Sequence, residues 1–271
     1  MKPQKIIYKI EEFPAIHYLH NALTKNYDVI FKYSENIINN KKVSQIKRIP
    51  GQWTGQKADD FVNGLDDTWI YGWTDQNTWF NYLMIYNNHI INNGDDMDNQ
   101  IINDIFIPIK SIINICGLSL LMPEATIKPH IDENTTISKN RLAYHFNVFG
   151  NGSIININGI LLKQKPKKSL VFDSGFIHSV TNGNEYRLLI YIDFNVLLSK
   201  NFIYGRITDL SNDKIIIKSY YKHDNGIYNI NHYNYGQGLA TVSQYTVSLM
   251  FNNQRSDILK NDSILIEIIS S

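Results

Sequence analysis

The segment LVFDSGFIHSVTNGNEYRLLIYIDF, residues 170–194, decides the fold class of this chain. Its short apolar runs are separated by turn signals at Asp173-Ser174-Gly175 and Asn182-Gly183. Short strands with such punctuation are typical of all-β sandwiches and barrels. The same pattern occurs upstream, with Asn-Gly turn signals at 151–152 and 158–159. We therefore predict a mainly β fold, in which a jelly-roll core of about eight strands in two facing sheets spans about residues 113–195.

Three residues around this segment predict a metal site. His130 and Asp132 form a His-x-Asp pair, and His178 lies within the quoted segment. Residues i and i+2 of a strand lie on one face, so His130 and Asp132 can converge on one point while a distant segment supplies the third ligand. Two imidazoles and one carboxylate leave coordination positions open, which suits non-haem Fe(II) that must also bind a cosubstrate and O₂. The pattern predicts a catalytic site, not a structural one.

The sequence around these residues resembles a known family. The stretches SLLMPEATIKPHIDE, NRLAYHFNVFG and LVFDSGFIHSVTNGNEYRLLIYIDF resemble the aspartyl/asparaginyl β-hydroxylase family of Fe(II)- and 2-oxoglutarate-dependent oxygenases. The resemblance covers about residues 113–194. It places the family's metal histidines on His130 and His178, and it implies that Arg187, Ser119 and His145 bind the 2-oxoglutarate cosubstrate. A guanidinium also suits a carboxylate on physical grounds, because it binds both oxygens at once.

Two positions depart from the family pattern. Some members have glycine where Asp132 stands, so this chain resembles the amino-acid hydroxylases, such as the proline hydroxylases, that have the full triad. A second family arginine corresponds to Ala143 here. Arg141 lies two positions before Ala143, on the same strand face as His145, and is the candidate to replace that arginine. We expect His130, Asp132, His145, His178 and Arg187 to point inward from different strands of the same sheet.

Composition limits the classes of partner and compartment. Lys and Arg total 26 against 25 for Asp and Glu, which gives no excess charge for nucleic acid or a membrane surface. The single cysteine, Cys116, excludes an intramolecular disulfide and lies in an apolar run that predicts burial. The N-terminal residues lack the apolar run of a signal peptide, and no apolar stretch long enough to span a membrane occurs. These features predict a cytoplasmic protein.

The flanking segments have their own patterns. Glu11 to Lys25 predicts a helix, and four tryptophans (Trp53, Trp69, Trp73 and Trp79) follow, either packing in the core or lining a substrate cleft. We assign residues 1–195 to an oxygenase domain and residues 196–271 to a β-rich module packed on it. With few strands and modest apolar content, this module is not expected to have an independent core. Its tyrosines (Tyr220, Tyr221, Tyr228, Tyr233 and Tyr235) are predicted to shape the site entrance or a homodimer interface, with a glycan or partner site as the alternative.

The resemblance implies hydroxylation of a substrate with conversion of 2-oxoglutarate to succinate. Relatives of this kind act on Asp or Asn side chains in polypeptides, on free amino acids such as proline, and on fatty-acyl chains. We favour an amino acid, free or as an Asp, Asn or Pro residue in a peptide. Three alternatives remain: a non-catalytic jelly roll that binds a small molecule or glycan, a cupin-type isomerase or dioxygenase without 2-oxoglutarate, and an oxygenase of a lipid or acyl substrate.

Overall fold

A computed structural model describes the chain over residues 4–42, 68–72, 78–91, 97–211, 214–252, 260 and 262–269. Three helices lie in the first part of it: α1 (Pro14–Lys25), α2 (Tyr27–Asn40) and α3 (Met97–Phe106). Helix α1 begins with Pro14, whose fixed φ and missing N–H suit a first turn. Its buried Ile16, Leu19 and Leu23 recur at helical spacing and form one apolar face. Within the described residues, no helix has the length and apolar content needed to cross a membrane.

Twelve strands precede the C-terminal region in the part of the chain that the structure describes. They are β1 (Ile7–Tyr8), β2 (Ile70–Tyr71), β3 (Trp79–Tyr86), β4 (His89–Ile90), β5 (Ile113–Leu121), β6 (Thr126–His130), β7 (Arg141–Phe149), β8 (Ile154–Ile157), β9 (Ile160–Lys163), β10 (Ser169–Phe172), β11 (His178–Thr181) and β12 (Arg187–Asn195). Short 3₁₀ turns occupy Ile10–Glu12, Ile107–Ile112, Ile137–Lys139 and Leu198–Lys200.

These strands form two sheets that face each other. The larger sheet has the order β1-β10-β7-β12-β5-β3-β2, with β4 paired to β3. The smaller sheet has the order β6-β11-β8-β9. The predicted mainly β, double-stranded β-helix fold of the jelly-roll, cupin-like kind is confirmed, with the N-terminal helices on the outer side of the larger sheet.

The hairpin between β8 and β9 shows how local sequence sets the strand register. Asn158 has φ 48° and Gly159 has φ 87°. Two consecutive positive φ values define the tight turn that Asn-Gly favours, because its twist matches that of the paired strands. Ile157 consequently pairs with Ile160, and the turn signal that the sequence gives at this point is confirmed.

One expectation about side-chain placement is wrong. His130 and His178 lie on β6 and β11 of the smaller sheet, whereas His145 and Arg187 lie on β7 and β12 of the larger sheet. The inward-pointing residues therefore come from two sheets and not from one. In a jelly roll the chain crosses repeatedly between the two sheets, so residues on successive strands face each other across the interior.

The C-terminal region forms a closed six-stranded barrel. Its strands are β13 (Phe202–Ser211), β14 (Lys214–Ser219), β15 (Gly226–His232), β16 (Gly236–Ser243), β17 (Thr246–Phe251) and β18 (Ser263–Ile269), in the order β13-β14-β17-β16-β15-β18. A buried apolar cluster that includes Ile207, Ile217 and Leu249 fills its interior. The expectation that this region lacks a core of its own is therefore wrong. Closure lets alternate residues of every strand bury against one another, which a strand count alone does not reveal.

The barrel also contacts the N-terminal helices. The phenol of Tyr204 accepts a hydrogen bond from Asn21 Nδ2 of α1 at 3.0 Å, and Tyr221 shares a hydrogen bond of 2.8 Å with His17 Nδ1. Phe202, Tyr204 and Leu265 belong to the same apolar cluster as the helices and the larger sheet.

Two of the five tyrosines predicted to form an external contact surface are used inside the chain. Tyr221 makes the helix contact, and Tyr235 is buried and stacks on His232 at 4.4 Å between ring centroids. Tyr220 and Tyr233 are exposed, at 48% and 42%. A homodimer interface built on the exposed tyrosines stays a prediction.

Truncation after Asn195 is expected to give an insoluble or strongly destabilised protein. The cut would expose the apolar surface that Phe202, Tyr204 and Leu265 cover, and apolar burial stabilises by about 25 cal/mol per Å². Thermal unfolding and size-exclusion chromatography of residues 1–195 and of the full chain measure the effect. A soluble, monomeric 1–195 fragment with an unchanged Tm would show that the barrel is an independent attachment.

Candidate metal centre and cosubstrate cavity

Strand pairing brings the two histidines together. His178 is the antiparallel partner of His130, and their ring centroids lie 4.1 Å apart. Asp132 stands two residues beyond the end of β6, where its backbone N–H donates to the Ser174 carbonyl at 2.9 Å. That hydrogen bond ties the Asp132 loop to the turn before His178. All three side chains therefore meet at one point between the strands.

The ligand atoms of this triad have a geometry suited to one metal ion. One ligand atom from each of His130, Asp132 and His178 lies within 4.8 Å of the others. Asp132 Oδ2 is 3.6 Å from His178 Nε2, and Asp132 Oδ1 is 4.0 Å from His130 Nε2. His178 is buried and Asp132 is about half exposed, so the centre is open on the side of the carboxylate.

Backbone hydrogen bonds fix both imidazoles in one tautomer. His130 Nδ1 donates to the Lys128 carbonyl at 2.8 Å, and His178 Nδ1 donates to the Phe176 carbonyl at 3.0 Å. A carbonyl oxygen only accepts, so Nδ1 carries the proton in each ring and the Nε2 lone pair is left for a metal. Burial lowers the pKa of His178, which favours the neutral ring that metal binding requires.

Asp173 caps a turn, as the turn signal at Asp173-Ser174-Gly175 predicts. Its Oδ1 accepts the Gly175 N–H at 3.0 Å, and its backbone carbonyl accepts the Phe176 N–H at 3.3 Å. Asp173 therefore caps the turn that delivers His178, and the hydrogen bond to the His178 ring comes from Phe176 instead.

A cavity of about 600 Å³ opens beside the metal centre. It is lined by the triad and by Ser119, His145, Arg141 and Arg187, so the structure brings all seven predicted site residues to one cavity. The volume falls within the roughly 300 to 1,000 Å³ that small-molecule sites occupy.

Arg187 lies fully buried at the start of β12. Burial lowers its pKa to about 9, so the guanidinium is still charged at neutral pH. Its Nε donates to Gln164 Oε1 at 3.1 Å, but Nη1 is buried without a hydrogen-bond partner. Among the described residues no carboxylate forms a salt bridge with it. A buried cation of this kind is stable only with an anion beside it, and a carboxylate in the cavity would supply one.

Ser119 and His145 add polar groups near this arginine. Ser119 pairs in register with Leu189, two residues from Arg187, and its Oγ accepts the Trp79 indole N–H at 2.9 Å. The Ser119 hydroxyl proton is thereby left to donate into the cavity. Burial, with the nearby charges of Arg187 and His178, holds the pKa of His145 well below its ordinary value, and its Nδ1 is buried without a partner. His145 is therefore a neutral ring that can share a hydrogen bond with a bound molecule.

Arg141 does not converge with Arg187 on one anion. Arg141 pairs in register with Asn195, at the far end of β12, eight residues from Arg187. At about 3.3 Å per residue the two positions are roughly 26 Å apart along the strand. Arg141 and Arg187 therefore do not share one carboxylate, and replacement of the family's second arginine by Arg141 stays a prediction. Arg141 lies four residues before His145 on the same face of β7, which places it at the other end of the cavity from Arg187.

Sequence reasoning missed two residues that contribute to the site. Gln164 orients Arg187 and accepts a second hydrogen bond from Ser153 Oγ at 3.2 Å. Asp193 lines the far end of the cavity, where Thr135 Oγ1 donates to its Oδ2 at 2.7 Å. Asp193 could have been found, since Arg187, Leu189, Tyr191 and Asp193 share one strand face. Gln164 carries no such signal, because it follows a hairpin among lysines.

The tryptophans have divided roles. Trp69 is buried at 3% exposure and packs against Tyr82 at 5.6 Å between ring centroids. Trp79 lines the cavity and holds Ser119. Trp53 and Trp73 lie outside the described residues. Of the two described tryptophans, Trp69 packs in the core and Trp79 lines the cavity, so each alternative holds for one of them.

Comparison with known proteins decides the family. The sequence model of the family described as aspartyl/asparaginyl beta-hydroxylase matches residues 52–196, which is more than half of the chain. The chain belongs to this family. The match ends at Val196, just before the first barrel strand, so the barrel is an addition to the part that the β-hydroxylase family shares.

Solved structures with a similar fold have low sequence identity to this β-hydroxylase family member. An oxidoreductase of the 2OG-Fe(II) oxygenase family from Burkholderia pseudomallei is 9% identical, over 58% of this chain and 95% of that one, with a TM-score of 0.35. AviO1 from Streptomyces viridochromogenes is 10% identical, over 63% and 84%, with a TM-score of 0.39. The Schizosaccharomyces pombe Cnp3 cupin domain is 16% identical over 30% of this chain, which spans about half (55%) of that domain, with a TM-score of 0.26.

Removing one metal histidine is expected to abolish tight binding of a divalent ion. His178→Ala leaves one imidazole and a half-exposed carboxylate, and we expect the affinity for Mn(II), used as a probe for Fe(II), to fall by at least about 100-fold. Electron paramagnetic resonance titration with Mn(II) measures it. His89→Ala, at an exposed histidine of β4, is the matched control. Unchanged Mn(II) affinity in His178→Ala would refute the metal assignment.

Asp193 is expected to make the stability of the metal-free protein depend on pH. Burial, followed by the nearby negative charge of Asp132, raises the pKa of Asp193 to about 7 from an ordinary 3.8. Between these values the folded state binds more protons than the unfolded state, so stability falls as the pH rises through this window. Asp193→Asn removes this loss, and we expect it to raise the free energy of unfolding at about pH 8 by on the order of 2 kcal/mol.

Urea unfolding of chelator-treated protein at about pH 4 and pH 8 measures the effect. At the lower pH the carboxyl is largely protonated in the folded protein, so Asp193→Asn should change stability little there. Asp209→Asn, at an exposed barrel carboxylate, is the control. An equal effect of Asp193→Asn at both pH values would mean that the side chain acts through packing and not through its charge.

Proposed function

We propose that this chain is an Fe(II)- and 2-oxoglutarate-dependent hydroxylase that acts on an amino acid, free or as an Asp, Asn or Pro residue in a peptide. The observation that carries the proposal is the buried guanidinium of Arg187, whose Nη1 has no partner among the described residues, in the same cavity as the His130, Asp132 and His178 triad. Such a pair of features suits a cosubstrate that has a carboxylate at one end and metal-binding oxygens at the other. Membership of the β-hydroxylase family supports the same reaction class.

The residues present fit both groups. His130, Asp132 and His178 would hold Fe(II), and Arg187 with Ser119 would hold the carboxylate of 2-oxoglutarate that lies away from the metal. Bound Fe(II) with 2-oxoglutarate and O₂ supplies the oxidising power to hydroxylate a C–H bond, and 2-oxoglutarate leaves as succinate and CO₂.

The chain itself contributes binding, orientation and shielding. Gln164 fixes the Arg187 Nε, so Nη1 could bind an anion without a rearrangement of the side chain. Trp79 fixes the Ser119 oxygen and closes the cavity next to it. The neutral His145 ring offers a hydrogen bond without adding a charge that would compete with Arg187.

The other functions considered for this fold fit the cavity less well. A binding protein without a reaction gains nothing from a three-ligand metal centre that is open on one side. An acyl chain needs an apolar channel, whereas charged side chains (Arg141, Asp193 and Arg187) stand at both ends of this cavity. We also propose a cytoplasmic location, which the single buried cysteine, Cys116, supports.

The test of the reaction class is turnover of 2-oxoglutarate. Purified protein with Fe(II), ascorbate and O₂ should form succinate from 2-oxoglutarate, even slowly without a substrate, as measured by NMR or by release of labelled CO₂. His178→Ala should form none. A wild-type protein that binds Fe(II) and 2-oxoglutarate but never forms succinate would contradict the proposal.

Arg187→Ala is expected to raise the KM for 2-oxoglutarate by about 100-fold or more. Loss of a charge-assisted, two-point contact in a buried site costs on the order of 3 kcal/mol. Gln164→Leu should cause a smaller rise, because it loosens the guanidinium without removing it. Mn(II) affinity should survive in both variants. Unchanged affinity for 2-oxoglutarate in Arg187→Ala would show that the cosubstrate carboxylate binds elsewhere.

A further inference from the structure

The far end of the cavity holds charged groups that the cosubstrate cannot reach. Arg187 and Asp193 lie six residues apart on one face of β12, roughly 20 Å along the strand. Between them on this face, Tyr191 pairs in register with His145, and the His145 ring packs against Phe172, which also contacts His178 of the metal centre. A five-carbon dicarboxylate that binds Arg187 and the metal is too short to extend to Asp193. This end is therefore left for the substrate.

Arg141 is a cation without a partner at this end. It is half-buried at the start of β7, lines the cavity, and its guanidinium makes no hydrogen bond or salt bridge in the described part of the chain. Its register partner Asn195 lies two residues after Asp193 on β12, so Arg141 and Asp193 are diagonal neighbours on adjacent strands. Ala143, two residues after Arg141, is the direct register partner of Asp193.

Asp193 is a carboxyl group with one oxygen committed to a hydrogen bond. Thr135 donates to Oδ2, while no hydrogen bond or salt bridge within the described residues involves Oδ1. A structural role in holding the Thr135 loop accounts for Oδ2 alone. It does not account for Oδ1, on a residue that lines the cavity. A cationic group bound in the cavity would give this oxygen a charged partner.

We propose that Arg141 and Asp193 bind the two charged groups of a free α-amino acid, Arg141 its carboxylate and Asp193 its ammonium group. The two side chains lie close together on one wall of the cavity and form no salt bridge with each other in the described part of the chain. Each can therefore contact one of the two charged groups that the α-carbon of an amino acid carries. A residue inside a peptide has neither charge, so the pair selects free amino acids over peptides. This inference rests on the proposed function and names its substrate class.

The first experiment compares free and blocked amino acids. The wild-type protein with Fe(II) and 2-oxoglutarate is assayed for succinate with each of the twenty free L-amino acids, then with the N-acetyl and the amide derivatives of those that respond. We expect at least one free amino acid to raise the rate. We expect each blocked derivative to need an at least 30-fold higher concentration, because one buried charged contact is lost.

Two variants then test which side chain recognises the carboxylate of the amino acid and which recognises its ammonium group. Arg141→Met should remove the preference for the acid over the amide, and Asp193→Asn should remove the preference for the free amine over the N-acetyl form. A merely structural role would lower all rates together and leave both preferences intact. Arg206→Met and Asp209→Asn, at exposed positions of the barrel, are matched controls that should keep both preferences.

A binding measurement separates this inference from the reaction class. Mn(II)-loaded protein should broaden the NMR signals of the same free amino acids, and both variants should weaken the broadening. Binding with these preferences but without succinate formation would overturn the proposed reaction and keep the inference. Succinate formation together with equal responses to free and blocked forms, or with no binding of any free amino acid, would overturn the inference and keep the reaction.

Discussion

The antiparallel pairing of β6 with β11 is the constraint on which the metal centre depends. It makes His130 the direct partner of His178, although a long stretch of chain separates them. Each ring then donates Nδ1–H to a carbonyl two residues earlier in its own chain. The same local hydrogen bond therefore occurs twice, and it leaves both Nε2 atoms free to face the same position. The hydrogen bond from the Asp132 N–H to Ser174 adds the carboxylate to this point from the loop that follows β6.

The larger sheet sets the order of the polar side chains along the cavity. Strand β12 lies between β7 and β5, and its cavity-facing residues alternate with residues buried against the helices. Arg187 comes first on this face and Asp193 last. The sheet thus places Arg187 at one end of the cavity, and Arg141 with Asp193 at the other.

The barrel packs against the helical layer, and its described residues do not reach the cavity. None of its residues lines the cavity among those described, and its contacts run through α1 to the outer side of the larger sheet. Its closed form removes exposed strand edges, which would otherwise invite association with other chains. Since the family match ends before it, the barrel is the part of this chain that the shared β-hydroxylase chemistry does not explain.

The sequence by itself determined the fold class, and it picked out the candidate metal triad and Arg187, which the structure brings to one cavity. Those features are local: turn signals, a two-residue spacing, and motifs within single strands. Only the tertiary structure decided which sheet carries each residue and that Arg141 stands far from Arg187. It also decided that Gln164 orients Arg187, that Asp193 lines the cavity, and that the last strands close into a barrel with its own core. The physical reason is that these facts depend on pairing between distant strands. Register and sheet crossing are set by how whole faces bury against each other, and no single stretch of sequence encodes that.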